Sequence, residues 1–141
     1  MNNKLIRITT VPMSFKYLLK GQMAFMSKNG FNVTMISSDG PELNDVIENE
    51  KCDHIIIPLT RKITILKDLK ATYNLYKLIR KEKPDIVHTH TPKAGIVGML
   101  ASYFARVPAR LHTVAGLPLV ETTGFKRFIL SDIHPSNLII S

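Results

Sequence analysis

The chain has 141 residues, a length that fits one domain with one substantial core. A hydrophobic content of 45% excludes intrinsic disorder, and the single cysteine, Cys52, excludes a disulfide scaffold and reads as a small, half-buried residue of a reducing compartment. The net charge is +8, no apolar run approaches the ~18 residues of a helical membrane span, and no signal-peptide core follows the first residues, so a cytoplasmic protein is expected.

Strand-like and helix-like stretches alternate with short punctuation, the pattern of an α/β domain. Residues 4–9 read as a first strand. Ser14 is placed to cap a helix running to about Asn29, with Phe15, Leu18, Leu19, Met23 and Met26 on one face and Gly30 as its left-handed stop. Residues 31–37 form a second strand, residues 38–41 a turn, and Pro41 opens a short acidic helix that ends near Asn49. Residues 54–59 form a third strand, and the run Ile55, Ile56, Ile57 predicts burial on both faces, as in a parallel sheet. A long basic helix covers residues 65–83, with Leu66, Leu69, Tyr73, Tyr76 and Ile79 as its buried stripe, lysines opposite, and Pro84 as its end. Residues 86–90 form a fourth strand, and residues 93–106 a helix rich in small residues, suited to close packing on a sheet. Residues 109–113 form a fifth strand, residues 116–124 a loop, and residues 125–130 the start of another helix. Residues 131–141 have no clear period, and Pro135 forbids a simple helical continuation. Residues 1–130 are thus read as the domain, and 131–141 as an atypical tail of the kind that a truncation or frameshift leaves.

Charge is uneven. Between Arg61 and Lys83 there are eight basic residues against Asp68 and Glu82. Residues 39–53 run the other way, with six acids against Lys51. A basic face serves nucleic acid, an anionic membrane surface or a phosphorylated substrate, and is equally the pattern of a plain solvated helix.

In an open parallel sheet, ligands bind beyond the carboxyl ends of the strands. Those ends carry residues 9–14, 37–40, 60–62, 88–95 and 112–121. In residues 88–95, strand alternation puts His88 and His90 on one face. Thr91, Lys93 and the free amides of the helix start offer an anion site there, and a histidine offers hydrogen bonds or proton transfer near neutral pH. His88 reads equally well as a satisfied core residue. His-x-His spacing is compatible with zinc, but no third ligand cluster stands at another strand end, so no metal is expected. The loop at residues 9–14 lacks the Gly-x-Gly-x-x-Gly of dinucleotide-binding domains, and there is neither a Walker motif nor a Gly-x-Ser-x-Gly elbow.

Residues 83–95, Lys-Pro-Asp-Ile-Val-His-Thr-His-Thr-Pro-Lys-Ala-Gly, resemble a segment of the family 4-type glycosyltransferases. Residues 107–118 and 121–127 resemble its continuation, and residues 21–40 the family's first helix and second strand. The resemblance implies one half, here incomplete, of a GT-B fold: a Rossmann-like parallel sheet flanked by helices. It implies that this N-terminal half mainly binds the acceptor. A C-terminal half would bind the nucleotide-sugar donor, with retention of anomeric configuration, no metal and no further cofactor. Surface-polysaccharide or polyprenyl-linked acceptors at the inner membrane face follow from the same resemblance. The basic helix suits such a surface. The cleft-lining residues carried over are Thr10, Ser14, His88, His90, Thr91, Lys93, Gly95 and Gly116. Many relatives place a histidine of the reaction centre where this chain has Ala115, so His90, His112 and Glu121 are the candidates to act in its place.

The leading expectation is therefore an acceptor-side half of a hexose or N-acetylhexosamine transferase, inactive by itself. A second reading pairs a non-catalytic half with a separately encoded donor domain. A third is a flavodoxin-like or nucleic-acid-binding module; against it, Tyr73 and Tyr76 are placed on the buried stripe rather than free to stack on bases.

Overall fold

The structure, a computed structural model, describes residues 3–114 and 138–140. Six strands form one parallel sheet in the order β3-β2-β1-β4-β5-β6. They are β1 (Asn3–Ile8), β2 (Phe31–Ser37), β3 (Asp53–Ile56), β4 (Ile86–His90), β5 (Ala109–Val114) and β6 (Leu138–Ile140). The helices are α1 (Pro12–Tyr17), α2 (Gln22–Lys28), α3 (Leu43–Glu50), α4 (Ile65–Glu82) and α5 (Pro92–Phe104). This is the α/β arrangement expected from the alternating pattern, with the Rossmann-like parallel sheet that the family resemblance implied. The predicted loop at 116–124 and helix at 125–130 lie outside the described residues. Within the stretch read as an atypical tail, β6 pairs with β5, Leu138 opposite His112.

Alternation along β1 sends side chains to two cores. Ile6 and Ile8 join Ile36, Leu75, Ile79, Val87 and Val97 on the face covered by α4 and α5. Leu5 joins Phe15, Leu19, Met23, Val33, Met35 and Val46 on the face covered by α1, α2 and α3. The α5 helix lies close on the sheet because two glycines allow it. A Cβ at Gly98 would stand 2.6 Å from Thr89 Cγ2.

Four local expectations need correction. The first helix is two helices. Val11 rather than Ser14 is its N-cap, with Pro12 in its first turn, where a missing N–H costs nothing. It breaks at Gly21, which is left-handed at φ 80° and leaves Leu18 exposed. The buried Glu50 carboxylate then accepts the N–H groups of Gly21 (2.6 Å) and Ala24 (2.9 Å), closing the new helix start. Second, β3 is an edge strand and is not buried on both faces. Ile56 is exposed, and Ile57 and Leu59 beyond the strand reach the core instead.

Third, α4 is rotated from the expected stripe. Ala71, Leu75 and Ile79 are buried against α5, whereas Leu66 is 83%, Leu69 63% and Tyr73 59% exposed. Asp68 sets the rotation, because its carboxylate must face the buried ammonium of Lys93 on α5. Fourth, Tyr73 is therefore free of the core, and the packing argument against base stacking holds only for the half-buried Tyr76. Gly30 is left-handed as expected, and Lys51, Lys83 and Arg106 adopt the same conformation at the ends of other helices.

Candidate functional site

The parallel topology collects the carboxyl ends of β1, β2, β4 and β5 on one rim. Thr10, just past β1, joins three of them. Its hydroxyl is 2.8 Å from the hydroxyl of Thr91 at the start of α5, and its carbonyl accepts the N–H and hydroxyl of Ser38 at 3.1 and 2.8 Å. Thr91 holds a strained backbone, φ 74° and ψ 147°, a region that costs a side-chain-bearing residue about 1–3 kcal/mol. It makes no side-chain cap to α5. Pro92 has no N–H, and the amides of Lys93 and Ala94 are the first free donors of the helix.

Below this rim lies a cluster of neutral imidazoles. Arg7 on β1 is opposite His88 on β4 in the sheet register, and Arg7 Nη2 donates to His88 Nδ1 at 3.2 Å. An arginine only donates, so His88 carries its proton on Nε2 and gives it to Thr113 Oγ1 at 2.6 Å. Arg7 Nη1 is held by Gln22 Oε1 at 2.9 Å. Burial and then the Arg7 charge push the His88 pKa down to about 4. His90 follows on the same face, with ring centroids 4.2 Å apart. Burial, His88 and Arg7 push its pKa down to about 2. His90 Nε2 is buried and has no hydrogen-bond partner among the described residues. That ring is a neutral hydrogen-bonding group at the carboxyl end of β4, next to Thr91.

The other expected site residues fall elsewhere. Lys93 is buried and does not point a free ammonium into the rim. Its Nζ donates to Asp68 Oδ2 at 2.7 Å and Oδ1 at 2.8 Å, and to the Lys62 carbonyl. Burial pushes the Asp68 carboxyl up, but Lys93 and Thr64 outweigh it and hold the pKa below its ordinary value. Gly95 serves packing: a Cβ there would stand 2.4 Å from His112 Cε1. His112 is on the opposite face of the sheet from His88 and His90, fixed between Gly95 and Thr89, whose hydroxyl is 2.8 Å from its Nδ1. Burial lowers its pKa. Ser14 is buried in the first turn of α1, and its carbonyl accepts the N–H groups of Leu18 and Leu19. Gly116 and Glu121, with Ala115, lie outside the described residues.

The structure thus brings Thr10, Thr91, His88 and His90 together and separates Lys93, Gly95, Ser14 and His112 from them. Sequence reasoning missed Arg7, Gln22 and Thr113. A charge inside the apolar run Leu5-Ile6-Arg7-Ile8 was the available signal for Arg7. Both ring nitrogens of His88 are occupied by Arg7 and Thr113, which leaves no lone pair there for a metal. The arrangement can accept or orient a hydroxyl at His90 and hold a polar ligand at the Thr10–Thr91 junction.

The sequence profile of the family described as "Glycosyl transferase 4-like" matches residues 7–138. The chain is 40% identical over 129 residues to the capsular polysaccharide biosynthesis glycosyltransferase CapM of Staphylococcus aureus, covering 92% of this chain and 33% of that protein. It is 39% identical over 92 residues to the UDP-Gal:alpha-D-GlcNAc-diphosphoundecaprenol alpha-1,3-galactosyltransferase of Escherichia coli, covering 65% of this chain and 24% of that one. The structure is similar to MurG of Acinetobacter baumannii, with a TM-score of 0.67 at 15% identity over 99% of this chain and 45% of that chain. The chain spans a third or less of the length of these two curated relatives. With the motif segments, the parallel sheet and the family match in agreement, the chain belongs to the glycosyl transferase 4-like family, of whose enzymes it represents a Rossmann-like, N-terminal fragment.

Proposed function

We propose that these residues form the acceptor side of a retaining glycosyltransferase. The enzyme moves a hexose or N-acetylhexosamine from a nucleotide sugar to a surface-polysaccharide or lipid-linked acceptor at the inner face of a membrane. The observation that carries this reading is the 40% identity to CapM over 92% of the chain. In this reading the donor-binding half is supplied by other residues, in the same chain or a separate one, and these 141 residues alone are inactive. Transfer forms a bond between an acceptor oxygen and the anomeric carbon and breaks the bond from that carbon to the nucleoside diphosphate. In this reading Thr10, Thr91 and His90 line the acceptor side. His90 stays neutral at pH 7 and accepts a hydrogen bond from the acceptor hydroxyl, while His88, fixed by Arg7 and Thr113, sets the angle of its ring. Gly116 and Glu121 belong to the same side through the family resemblance alone.

The test is a titration of the 141-residue chain with a lipid-diphosphate-linked N-acetylglucosamine in detergent. Saturable binding is expected, weakened about tenfold or more by His90→Ala, in line with loss of a hydrogen bond inside a closed site. Tight binding of the nucleotide sugar instead of the acceptor, or sugar transfer by the isolated chain, would overturn the assignment.

A further inference from the structure

Arg7 carries a charge that its surroundings do not match. It is 7% exposed, and every group it holds is neutral: Gln22 Oε1 at 2.9 Å, Met23 Sδ at 3.6 Å and His88 Nδ1 at 3.2 Å. Its Nε–H is buried and has no partner among the described residues. Glu50 is the acid whose charge is felt at Arg7, but its two oxygens are taken by the N–H groups of Gly21 and Ala24. Among the described residues Arg7 makes no ion pair. A buried charge is ordinarily matched by an opposite one, because its removal from water is otherwise uncompensated.

The guanidinium is not sealed off. It lines a pocket of about 320 Å³ at the break between α1 and α2, with Lys20, Gly21, Gln22, Phe25 and Met26. The break itself makes room, since a Cβ at Gly21 would meet no atom within 4 Å. The polar side chains of the pocket are donors. Gln22 turns its oxygen to Arg7, which leaves its amide N–H groups for other partners. Lys20 is exposed and makes no ion pair among the described residues. No acid is among the lining residues, and Phe25 and Met26 form an apolar wall. A neutral polyol would find hydrogen bonds here but would leave the Arg7 charge unmatched. An oxyanion meets both needs, because the guanidinium is a planar fork that fits carboxylate and phosphate.

We propose that this pocket binds a phosphate- or carboxylate-bearing small molecule, with the oxyanion on Arg7 and Lys20 and the remaining bulk against Phe25 and Met26. The pocket shares no lining residue with the Thr10–Thr91 junction, and the proposal stands independently of the acceptor reading. It still reaches the candidate site. The guanidinium that takes the anion also holds His88, whose ring centroid is 4.2 Å from that of His90. An occupied pocket therefore changes the charge beside both imidazoles.

The test is a nuclear magnetic resonance titration of the isotopically labelled 141-residue chain. Inorganic phosphate, pyrophosphate and glucuronate are added in turn at constant ionic strength in sodium chloride, with glucose as the neutral control. The Arg7 Nε–H and Phe25 ring resonances are expected to move saturably with at least one anion, and the His88 Cε1–H resonance with them. A response to the two phosphates alone assigns a phosphate ligand, and a response to glucuronate alone a carboxylate. Lys20→Glu, on the surface, should weaken binding about fivefold or more at unchanged far-UV circular dichroism. Arg7→Met, which keeps the apolar stem, should abolish it; where that variant fails to fold, Lys20→Glu decides alone. The absence of a saturable shift with all three anions overturns the proposal. So does a shift that glucose produces equally, or anion binding that Lys20→Glu leaves unchanged.

Discussion

A buried imidazole with a free nitrogen is costly, by about 1–3 kcal/mol for an unmade hydrogen bond, and His90 carries that cost beside a second imidazole and a guanidinium. The three groups share one consequence. The unfolded chain takes up protons below the ordinary histidine pKa of 6.5, whereas the folded chain refuses them down to about 4 at His88 and lower at His90. With folded pKa values depressed, the unfolded state binds more protons in that window, and stability must fall as pH drops from 6.5 toward 4, then level off above 6.5. Each imidazole adds a slope of about 1.4 kcal/mol per pH unit at most. Denaturant midpoints between pH 5 and pH 7 check this, and His90→Gln should shrink the slope by about one proton; an unchanged slope would mean that His90 titrates in the fold as it does in the unfolded chain. At this scale the sequence was half legible. Period-two alternation placed His88 and His90 on one face. Their partners Arg7 and Thr113 depend on the register between strands distant in sequence, which no local pattern encodes.

Elements were legible where one signal dominated. The boundaries of β2 and β4 agree with the sequence reading, because apolar β-branched runs are bounded there by glycine, proline or polar turns. Two signals competed in α4. Large apolar residues mark one face and Ala71, Leu75 and Ile79 another, and the buried Lys93–Asp68 pair decides between them. An ion pair between two helices is invisible to a hydrophobic period. For α5, the run of small residues did predict contact with the sheet, and its consequence is measurable. Gly95→Ala would drive a methyl into the His112 ring, so the ring or the helix must move. Overpacking of this kind should destabilise the chain by about 1–3 kcal/mol, read by thermal unfolding, with a matching change in the His112 proton resonances. Helix propensity alone would make Gly95→Ala stabilising by about 1 kcal/mol; an unfolding temperature that stays level or rises would show that Gly95 has room to spare.

At the scale of the molecule, the parallel sheet followed from strand and helix alternation, whereas β6 had no signal beyond a short apolar run. Its three residues complete the ladder on β5 from His112 to Val114. Removing residues 138–141 uncovers that row of backbone donors and acceptors, and an unpaired strand edge invites association. The shortened chain should therefore unfold at a lower temperature and scatter more light on heating; identical unfolding and scattering would show that β6 contributes nothing. The central place of β1 has a consequence in time. Its first neighbour, β2, follows within a few dozen residues, but the other, β4, pairs Ile8 with Thr89. At a synthesis rate of about 5–20 residues per second, β1 waits roughly 4–16 s for its second neighbour. During that interval one side of the future sheet centre stands open in the nascent chain, and the segment from β1 to α4 is a ready client for a holding chaperone.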